Sequence, residues 1–320
     1  MRGEVEVRVA FLNLVHCDPG VVARTTKKLT EKPGFDMFIH IDAKVDAQPF
    51  YDQLNNVSQV YFVEDRKTVY WGGFHAIEAT IALLKLALSQ PKEYDYFVLF
   101  QNLDYPIRSN DAMEEFFVKH QEKEFIRGCK IGQIRDWHYQ RKYKIYNKRD
   151  DDFYLSNPSK LRRIIHNLGL GIRSIPTIGF SGVIKENQQS YCIYYGAAQW
   201  AVTRTCAKYF VDFYETHPKF NRIMSHIQFP DEEYFHTIVH NTDLKYRCIR
   251  YNEPIQRWLV NWRNIHYFEY PKEVTVFTEK DFDRLMKKKE LFCRKVRSGV
   301  SDELMNKIDE VTKTGECMDE

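Results

Sequence analysis

Along the first third of the chain, short apolar runs alternate with segments whose apolar residues recur at helical spacing. The apolar runs cover residues 5–15, 35–42, 59–63 and 94–101, and the helical segments cover residues 21–31 and 74–88. Strands that are apolar on both faces and separated by helices are typical of a parallel sheet covered on both sides. The pattern therefore predicts an α/β fold with a mostly parallel central sheet flanked by helices.

The regular period stops between residues 133 and 168, where basic and aromatic side chains are interleaved. This stretch predicts either a solvated insertion or a basic surface for an anionic or lipid-linked acceptor or for a membrane. Residues 169–182 contain glycine and proline, and we interpret them as a loop near a site. Further helices are predicted at residues 203–217, 231–240 and 282–289, followed after Gly299 by a peripheral helical tail.

Composition narrows the class of protein. With 43% hydrophobic and 28% charged residues among 320, the chain has the composition of an ordinary globular protein. A net charge of +3 argues against nucleic acid as a partner. The seven cysteines are scattered without a C-x-x-C pair, so we expect mostly free thiols, with two or three disulfide pairs left open.

Targeting signals are absent from the sequence. It contains no run of about 18 apolar residues, and its first residues lack the apolar core of a signal peptide. We therefore expect a cytoplasmic protein, with peripheral attachment at an inner membrane as a further expectation. The alternative is a Golgi lumenal enzyme whose N-terminal anchor has been removed.

The most informative polar segment is PDEEYFHTI, residues 230–238. Proline followed by acids suits a helix N-terminus, where Asp231 can cap the helix and the helix dipole stabilises negative charge. One of the carboxylates could instead point into a cleft and act as a general base. A third interpretation takes Glu233, His236 and His240 as one metal-binding helix face, although no second Glu-x-x-His accompanies it.

The sequence contains neither of the two glycine-rich phosphate-binding motifs, G-x-x-x-x-G-K-[ST] and G-x-G-x-x-G. Three segments approach the Asp-x-Asp pattern that holds a divalent metal on a diphosphate, and none fits it well. They are residues 150–152 in a charged loop expected to be solvated, residues 281–283 at a helix start, and residues 102–104 after a strand. Cationic side chains are the other means of neutralising a diphosphate, and Lys272, Arg294 and Lys295 are candidates, unless they are surface charges.

Two acids follow predicted strands at their carboxyl ends. Asp42 ends the second strand, and Asp104 comes shortly after the fourth. Open α/β sheets bind ligands at this edge. Each residue alone could be an ordinary turn acid, but together they favour a ligand-binding site.

Six segments, taken in order, resemble the core-2/I-branching enzyme family, which contains β-1,6-N-acetylglucosaminyltransferases and peptide O-xylosyltransferases. They are IHIDAK (39–44), VYWGGFHAIEATIALL (69–84), QNLDYPIRS (101–109), QWAVTR (199–204), PDEEYFHTI (230–238) and ELFCRKV (290–296). The resemblance implies a GT-A type, Rossmann-like glycosyltransferase domain over residues 1–298. It would have a nucleotide-sugar half at about 1–130, an acceptor and catalytic half at about 131–298, and a peripheral tail at 299–320.

The resemblance also implies a reaction. It is the inverting transfer of a sugar from a UDP-sugar to a hydroxyl group, with no metal ion or other cofactor. The expected sugar is GlcNAc, and the expected acceptor is a glycan, a cell-surface polysaccharide or a lipid-linked oligosaccharide. The alternatives are xylose or another sugar on the same scaffold, and a saccharide-binding homologue without catalysis.

Roles can be carried over residue by residue. Glu232 matches the general base, and Asp42 matches a position near the uridine. Lys295 matches a diphosphate contact, while Lys272 stands where an arginine is usual, a departure for which Arg294 could compensate.

The acceptor side is less well defined by the resemblance. Gln199 and Trp200 are the expected acceptor contacts, and Trp258 and Trp262 could stack on acceptor sugar rings. The segment GAAQW departs from the more usual Gly-Ser-(Gln or Asp)-Trp, which leaves the first two assignments open. A core role for Trp258 is equally open.

Overall fold

The structure is a computed structural model that describes residues 6–134, 136–147, 150, 153, 159–178, 180–250, 263–270 and 273–314. Its strands are β1 (Val9–Val15), β2 (Phe35–Ile41), β3 (Val60–Phe62), β4 (Tyr96–Gln101), β5 (Asp104–Pro106), β6 (Cys129–Lys130), β7 (Val183–Glu186), β8 (Gln189–Cys192), β9 (Tyr194–Tyr195), β10 (Ala201–Thr203), β11 (His266–Phe268) and β12 (Phe292–Arg294). Its α-helices are α1 (Pro19–Thr30), α2 (Gln48–Leu54), α3 (His75–Leu88), α4 (Asn110–Lys119), α5 (Trp137–Lys144), α6 (Lys160–Ile178), α7 (Arg204–Thr216), α8 (Pro218–Met224), α9 (Tyr234–His240), α10 (Phe282–Met286) and α11 (Asp302–Thr314).

The central sheet has five strands in the order β10-β4-β1-β2-β3. The pairs of β1 with β2, β1 with β4 and β2 with β3 are parallel, and β10 joins antiparallel to β4. The prediction of a mostly parallel sheet flanked by helices is therefore confirmed. Its two faces are equally apolar, because successive residues of a strand point to opposite sides.

Strand β1 illustrates how both faces are covered. Ala10 and Leu12 join one core with α3, α7 and α9, whereas Val9 and Phe11 join the other core with α1 and α4. All four side chains have no exposed surface. The sheet therefore lies between two helical layers, and its strand ends are the part left open to a ligand.

A second, three-stranded sheet runs in the order β11-β12-β5 and has its own apolar core. Helix α11 packs there through Leu304, Met305 and Ile308, which are almost completely buried. The C-terminal helix is therefore an integral part of the fold. The prediction of a peripheral tail is wrong for this helix, because its apolar stripe contacts this core.

The middle of the chain is more regular than its composition predicts. Helix α6 runs through Gly169 and Gly171, so the predicted loop at residues 169–182 is wrong up to Ile178. A glycine inside a helix costs about 1 kcal/mol relative to alanine, which a long helix can tolerate. Helix α10 is shorter than predicted, and the acids at 231 and 232 lie in a 3-10 turn, Pro230–Glu232, just before α9.

The cysteines and the membrane expectation can be compared with the described part of the chain. Six cysteines lie there and all are free thiols, as expected for most of them: Cys17, Cys129, Cys192, Cys206, Cys248 and Cys293. In the same part of the chain, no helix is long and apolar enough to cross a membrane.

Candidate functional site

The carboxyl ends of β1 and β4 are joined by one side chain. The Asn102 carbonyl oxygen accepts hydrogen bonds from the backbone N–H groups of His16 at 2.6 Å and Cys17 at 3.0 Å. Asn102 itself has a left-handed backbone, with φ of 51°, a conformation that asparagine tolerates better than most residues. The strand ends of the central sheet are thus fixed relative to each other at the edge where the site was predicted.

Asp42 lies at this edge, directly after β2, and is 5% exposed. One of its oxygens accepts from the backbone N–H groups of Lys44 at 2.9 Å and Val69 at 3.3 Å, and the other is 2.7 Å from the Lys44 ammonium. Its position agrees with the predicted strand-end acid. The contact with a uridine stays a prediction.

Asp104 faces Arg294 across the antiparallel pair of β5 and β12, and the Arg294 guanidinium lies 2.8 Å from an Asp104 oxygen. Asp104 has no exposed surface, so it cannot contact a donor directly in this conformation. Its partner Arg294 is 20% exposed and also donates to the backbone carbonyl of Gln101 at the end of β4. The burial of Asp104 therefore disagrees with the predicted direct contact to a donor.

Arg294 and Lys295 belong to a cationic cluster that also includes Arg297. The pKa of Lys295 is lowered, chiefly by burial and further by the charges of Arg297 and Arg294. The pKa of His16 is lowered by burial too; there the charge of Asp42 opposes the shift and the Arg294 charge adds to it. Like charges this close favour a bound anion, because an anion relieves their repulsion.

The acidic turn presents Glu232 toward a partly open space. Its side chain is 30% exposed, and one carboxylate oxygen is 2.5 Å from the Lys142 ammonium. Burial and the nearby charge of Glu232 raise the pKa of the Tyr195 hydroxyl well above its usual range. Glu232 is therefore both oriented by Lys142 and accessible, which is what a general base requires.

Of the two neighbouring acids, Glu233 is buried and Asp231 is partly exposed. Glu233 has no exposed surface, and neither of its carboxylate oxygens has a hydrogen-bond partner among the described residues. Burial raises its pKa well above the usual range, opposed by the Lys142 charge. Burial and the charge of Glu232 also raise the pKa of Asp231, to about 6.

Lys142 is the site residue whose role the sequence does not predict. It is 6% exposed and belongs to the basic stretch that was expected to be either solvated or a binding surface. Burial lowers the pKa of Lys142, and the charges of Glu232 and Glu233 raise it. The pKa is therefore raised overall. Its ammonium also lies 4.3 Å from the centre of the Tyr195 ring. The solvated interpretation is therefore wrong for this residue, and no local pattern links it to acids 90 residues away.

A short loop joins the Asp42 edge to the acidic turn. It begins at Val69, whose N–H binds Asp42, and ends at Gly72, whose carbonyl accepts from the N–H of Phe229 at 3.3 Å. Three peptide steps span at most about 11 Å. Asp42 and the acidic turn are therefore close in space, and we call the region between them the candidate cleft. Between them, Trp71 is 78% exposed, with its ring 4.5 Å from that of Phe229.

The predicted acceptor residues do not all reach this cleft. Trp200 has no exposed surface and packs against Phe210 and Phe235, so its assignment as an acceptor contact is wrong. Gln199 is 5% exposed and donates to the Gln101 side chain at 2.9 Å. Trp258, Trp262 and Lys272 lie outside the described residues.

The acidic segments considered as metal ligands have structural partners. Asp150 accepts from the backbone N–H groups of Phe74 at 2.6 Å and His75 at 3.2 Å, at the start of α3. It is therefore a helix cap, and the expectation that it is solvated is wrong. Asp281 forms a capping box with Thr278, as expected of a helix start.

The helix face with Glu233, His236 and His240 is buried in the core. Burial lowers the pKa of His236 to about 3 and that of His240 to about 4. In the described part of the chain, no group of three His, Cys, Asp or Glu side chains is arranged to hold a metal ion. Metal-independent chemistry stays a prediction.

The mostly parallel central sheet flanked by helices, with acidic and cationic side chains near its carboxyl edge, agrees with a GT-A-like glycosyltransferase fold. The family model described as Core-2/I-Branching enzyme matches residues 9–286, and the chain belongs to this family. The expected family resemblance is thereby confirmed.

Curated relatives of this chain are named as xylosyltransferases. Xylosyltransferase 2 of Rattus norvegicus is 23% identical over 95% of this chain and 33% of its own length. Xylosyltransferase 1 of Rattus norvegicus is 22% identical over 95% of this chain and 35% of its own length. The xylosyltransferase of Ciona intestinalis is 19% identical over 95% and 34%. The chain thus spans about a third of the length of the relatives it matches.

Proposed function

We propose that this protein transfers a sugar from a UDP-sugar to a hydroxyl group of a glycan or lipid-linked oligosaccharide, with inversion at the anomeric carbon. The observation that carries the proposal is the accessible Glu232 held by Lys142, close to the Asp42 edge of the sheet where Arg294 and Lys295 supply positive charge. GlcNAc and xylose are the two candidate sugars. Xylose is a candidate beside GlcNAc because the relatives are named xylosyltransferases.

Glu232 is the proposed general base. The acceptor oxygen attacks the anomeric carbon opposite UDP, and Glu232 takes the hydroxyl proton as that bond forms. A positioned base of this kind contributes roughly 10²–10⁴-fold to the rate. Lys142 supports this role because its ammonium holds the carboxylate in one orientation.

The cations are proposed to stabilise the leaving group. The bond between the anomeric carbon and the β-phosphate oxygen breaks, and the electron pair moves to the diphosphate. Arg294 and Lys295 neutralise that charge without a metal ion, and Lys272 is proposed to assist them. Removing one preorganised donor of this kind typically costs about 3–4 kcal/mol of transition-state stabilisation.

Trp71 is proposed to replace Trp200 as the aromatic contact for a sugar ring. It is largely exposed, and it lies on the loop between the Asp42 edge and the acidic turn. An exposed indole offers a flat apolar face and an N–H group, which suits the mixed apolar and polar surface of a sugar. Gln199 and Trp258 remain proposed acceptor contacts.

The test is UDP release from a panel of UDP-sugars, with and without EDTA, for the wild-type protein and Glu232→Gln. We expect one donor to be hydrolysed slowly, EDTA to have no effect, and the variant to bind UDP without releasing the sugar. Near-normal turnover by Glu232→Gln would refute the base, and a strict Mn²⁺ requirement would refute the metal-free mechanism. UDP binding without turnover of any donor, even with glycan acceptors added, would favour a saccharide-binding homologue.

A further inference from the structure

Helix α6 carries five large aliphatic side chains that are exposed. Their exposed fractions range from 48% at Ile164 to 68% at Ile172. The five residues are Leu161, Ile164, Ile165, Leu168 and Ile172. At about 100° per residue they fall within an arc of about 100°, so they form one continuous stripe along the helix. We call these five residues the α6 stripe.

The opposite side of the helix is the side that contacts the protein. His166 is partly buried and stacks on Phe153 with ring centres 3.8 Å apart, and the Arg173 guanidinium lies 5.7 Å from the centre of the Tyr146 ring. Gly169 and Leu170 are partly buried as well. The α6 stripe therefore points away from the body of the protein, where an ordinary amphipathic helix would present polar residues.

The charges of α6 indicate which kind of surface can bind the α6 stripe. The helix contains four basic residues, Lys160, Arg162, Arg163 and Arg173, and its sequence contains no Asp or Glu. A second copy docked through this stripe would bring four positive charges against four more, with no acid on either helix to offset them. An anionic surface is the complementary partner, because it accepts the apolar stripe and pairs with the flanking cations.

We propose that α6 is an in-plane anchor that docks the protein on an anionic lipid bilayer. The α6 stripe enters the boundary between headgroups and acyl chains, while Lys160 and Arg162, which flank it on either side, stay at the phosphate level. The helix lies along the surface and does not span the bilayer. This inference goes beyond the proposed transfer reaction and does not depend on it.

The test is co-sedimentation of the full chain with vesicles of phosphatidylcholine alone and of phosphatidylcholine with 30 mol% (about one third) phosphatidylserine. We expect binding to the anionic vesicles, weak binding to the neutral ones, and release by high salt. The double variant Ile165→Glu/Leu168→Glu should reduce the bound fraction at least tenfold. Val300→Glu is the matched control, because it places an acid at an exposed apolar position outside α6, and it should bind like the wild type.

Other results would overturn the proposal. Failure of the wild type to bind anionic vesicles, or equal binding by the double variant, would remove α6 as an anchor. Sedimentation velocity supplies a further check: a wild-type dimer that Ile165→Glu/Leu168→Glu converts to a monomer would make the stripe a protein interface instead. Circular dichroism and UDP binding by the double variant establish that it is folded, so loss of vesicle binding reports on α6 and not on the catalytic site.

Discussion

The Lys142 ammonium lies 2.5 Å from a carboxylate oxygen of Glu232, although 90 residues separate them in the sequence. Lys142 is almost completely buried, and its charge also acts on Glu233 and Asp231. One cation therefore offsets three neighbouring carboxyl groups while it orients the proposed base. Removing its charge should affect both stability and catalysis.

We expect Lys142→Met to lower the free energy of unfolding by about 1.5–3 kcal/mol, the range for losing a hydrogen bond between charged groups, because Glu232 keeps part of its solvation. Turnover of the donor should also fall, since Glu232 loses the partner that orients it. Urea unfolding and UDP release measure the two effects. Arg141→Met removes the same charge from an exposed position of the same helix and should change neither. Equal stability of Lys142→Met and Arg141→Met would contradict the ion-pair role.

Lys295 should contribute to donor binding more than to folding. Burial lowers its pKa, and the charges of Arg297 and Arg294 lower it further; a bound diphosphate would relieve that repulsion. We expect Lys295→Ala to weaken UDP binding roughly tenfold to a hundredfold, the range for a lost hydrogen bond to a charged group. Calorimetric titration with UDP measures it, with the exposed Lys287→Ala as control. Unchanged affinity in Lys295→Ala would exclude Lys295 from the diphosphate site.

Asp231 should make stability depend on pH in a defined window. Its pKa is raised from 3.8 to about 6. Between about pH 4 and 6 the folded protein therefore keeps a proton that the unfolded chain has lost, and the free energy of unfolding falls as pH rises. Asp231→Asn removes this contribution, so the difference between wild type and variant should decline across the window and level off above it.

The wild type has to be compared with Asp231→Asn because buried histidines change the free energy of unfolding with pH in the opposite direction. Burial lowers the pKa of His266 to about 4, so its contribution grows as pH rises from about 4 to 6.5. Both proteins share that contribution, and it cancels in the difference. Urea unfolding at half-unit pH intervals supplies the data, and a difference that rises with pH would contradict the assignment.

Two glycines should respond oppositely to alanine. A Cβ at Gly73 would lie 2.0 Å from the Asp150 carboxylate oxygen that caps α3, so Gly73→Ala should cost about 1 kcal/mol or more. Gly169 in α6 has no atom within 4 Å of the same position, and Gly169→Ala should stabilise the helix by about 0.5–1 kcal/mol. Thermal unfolding distinguishes them, and a stabilised Gly73→Ala would show that the cap is unimportant.

Local patterns predict the parts of this protein that depend on neighbours in sequence. The buried strands and the strand-end position of Asp42 follow from short apolar runs and their boundaries. The pairing of Lys142 with Glu232 does not, since a charge becomes buried only when distant elements close over it. The prediction for Trp200 fails for a different reason. The family resemblance assigns Trp200 an acceptor contact, whereas the packing of Phe210 and Phe235 around its ring shows that the ring is inaccessible.

Asp309 of α11 accepts hydrogen bonds from Arg24 and Lys28 of α1 and from the Tyr105 hydroxyl. A chain shortened ahead of this helix would keep two cations and a buried phenol that no longer share an acceptor. Chimeric or minimised versions of this domain should therefore retain residues through Thr314, even though the matched family region ends at residue 286. The contacts between α1 and α11 therefore place the C-terminal boundary of the domain after α11.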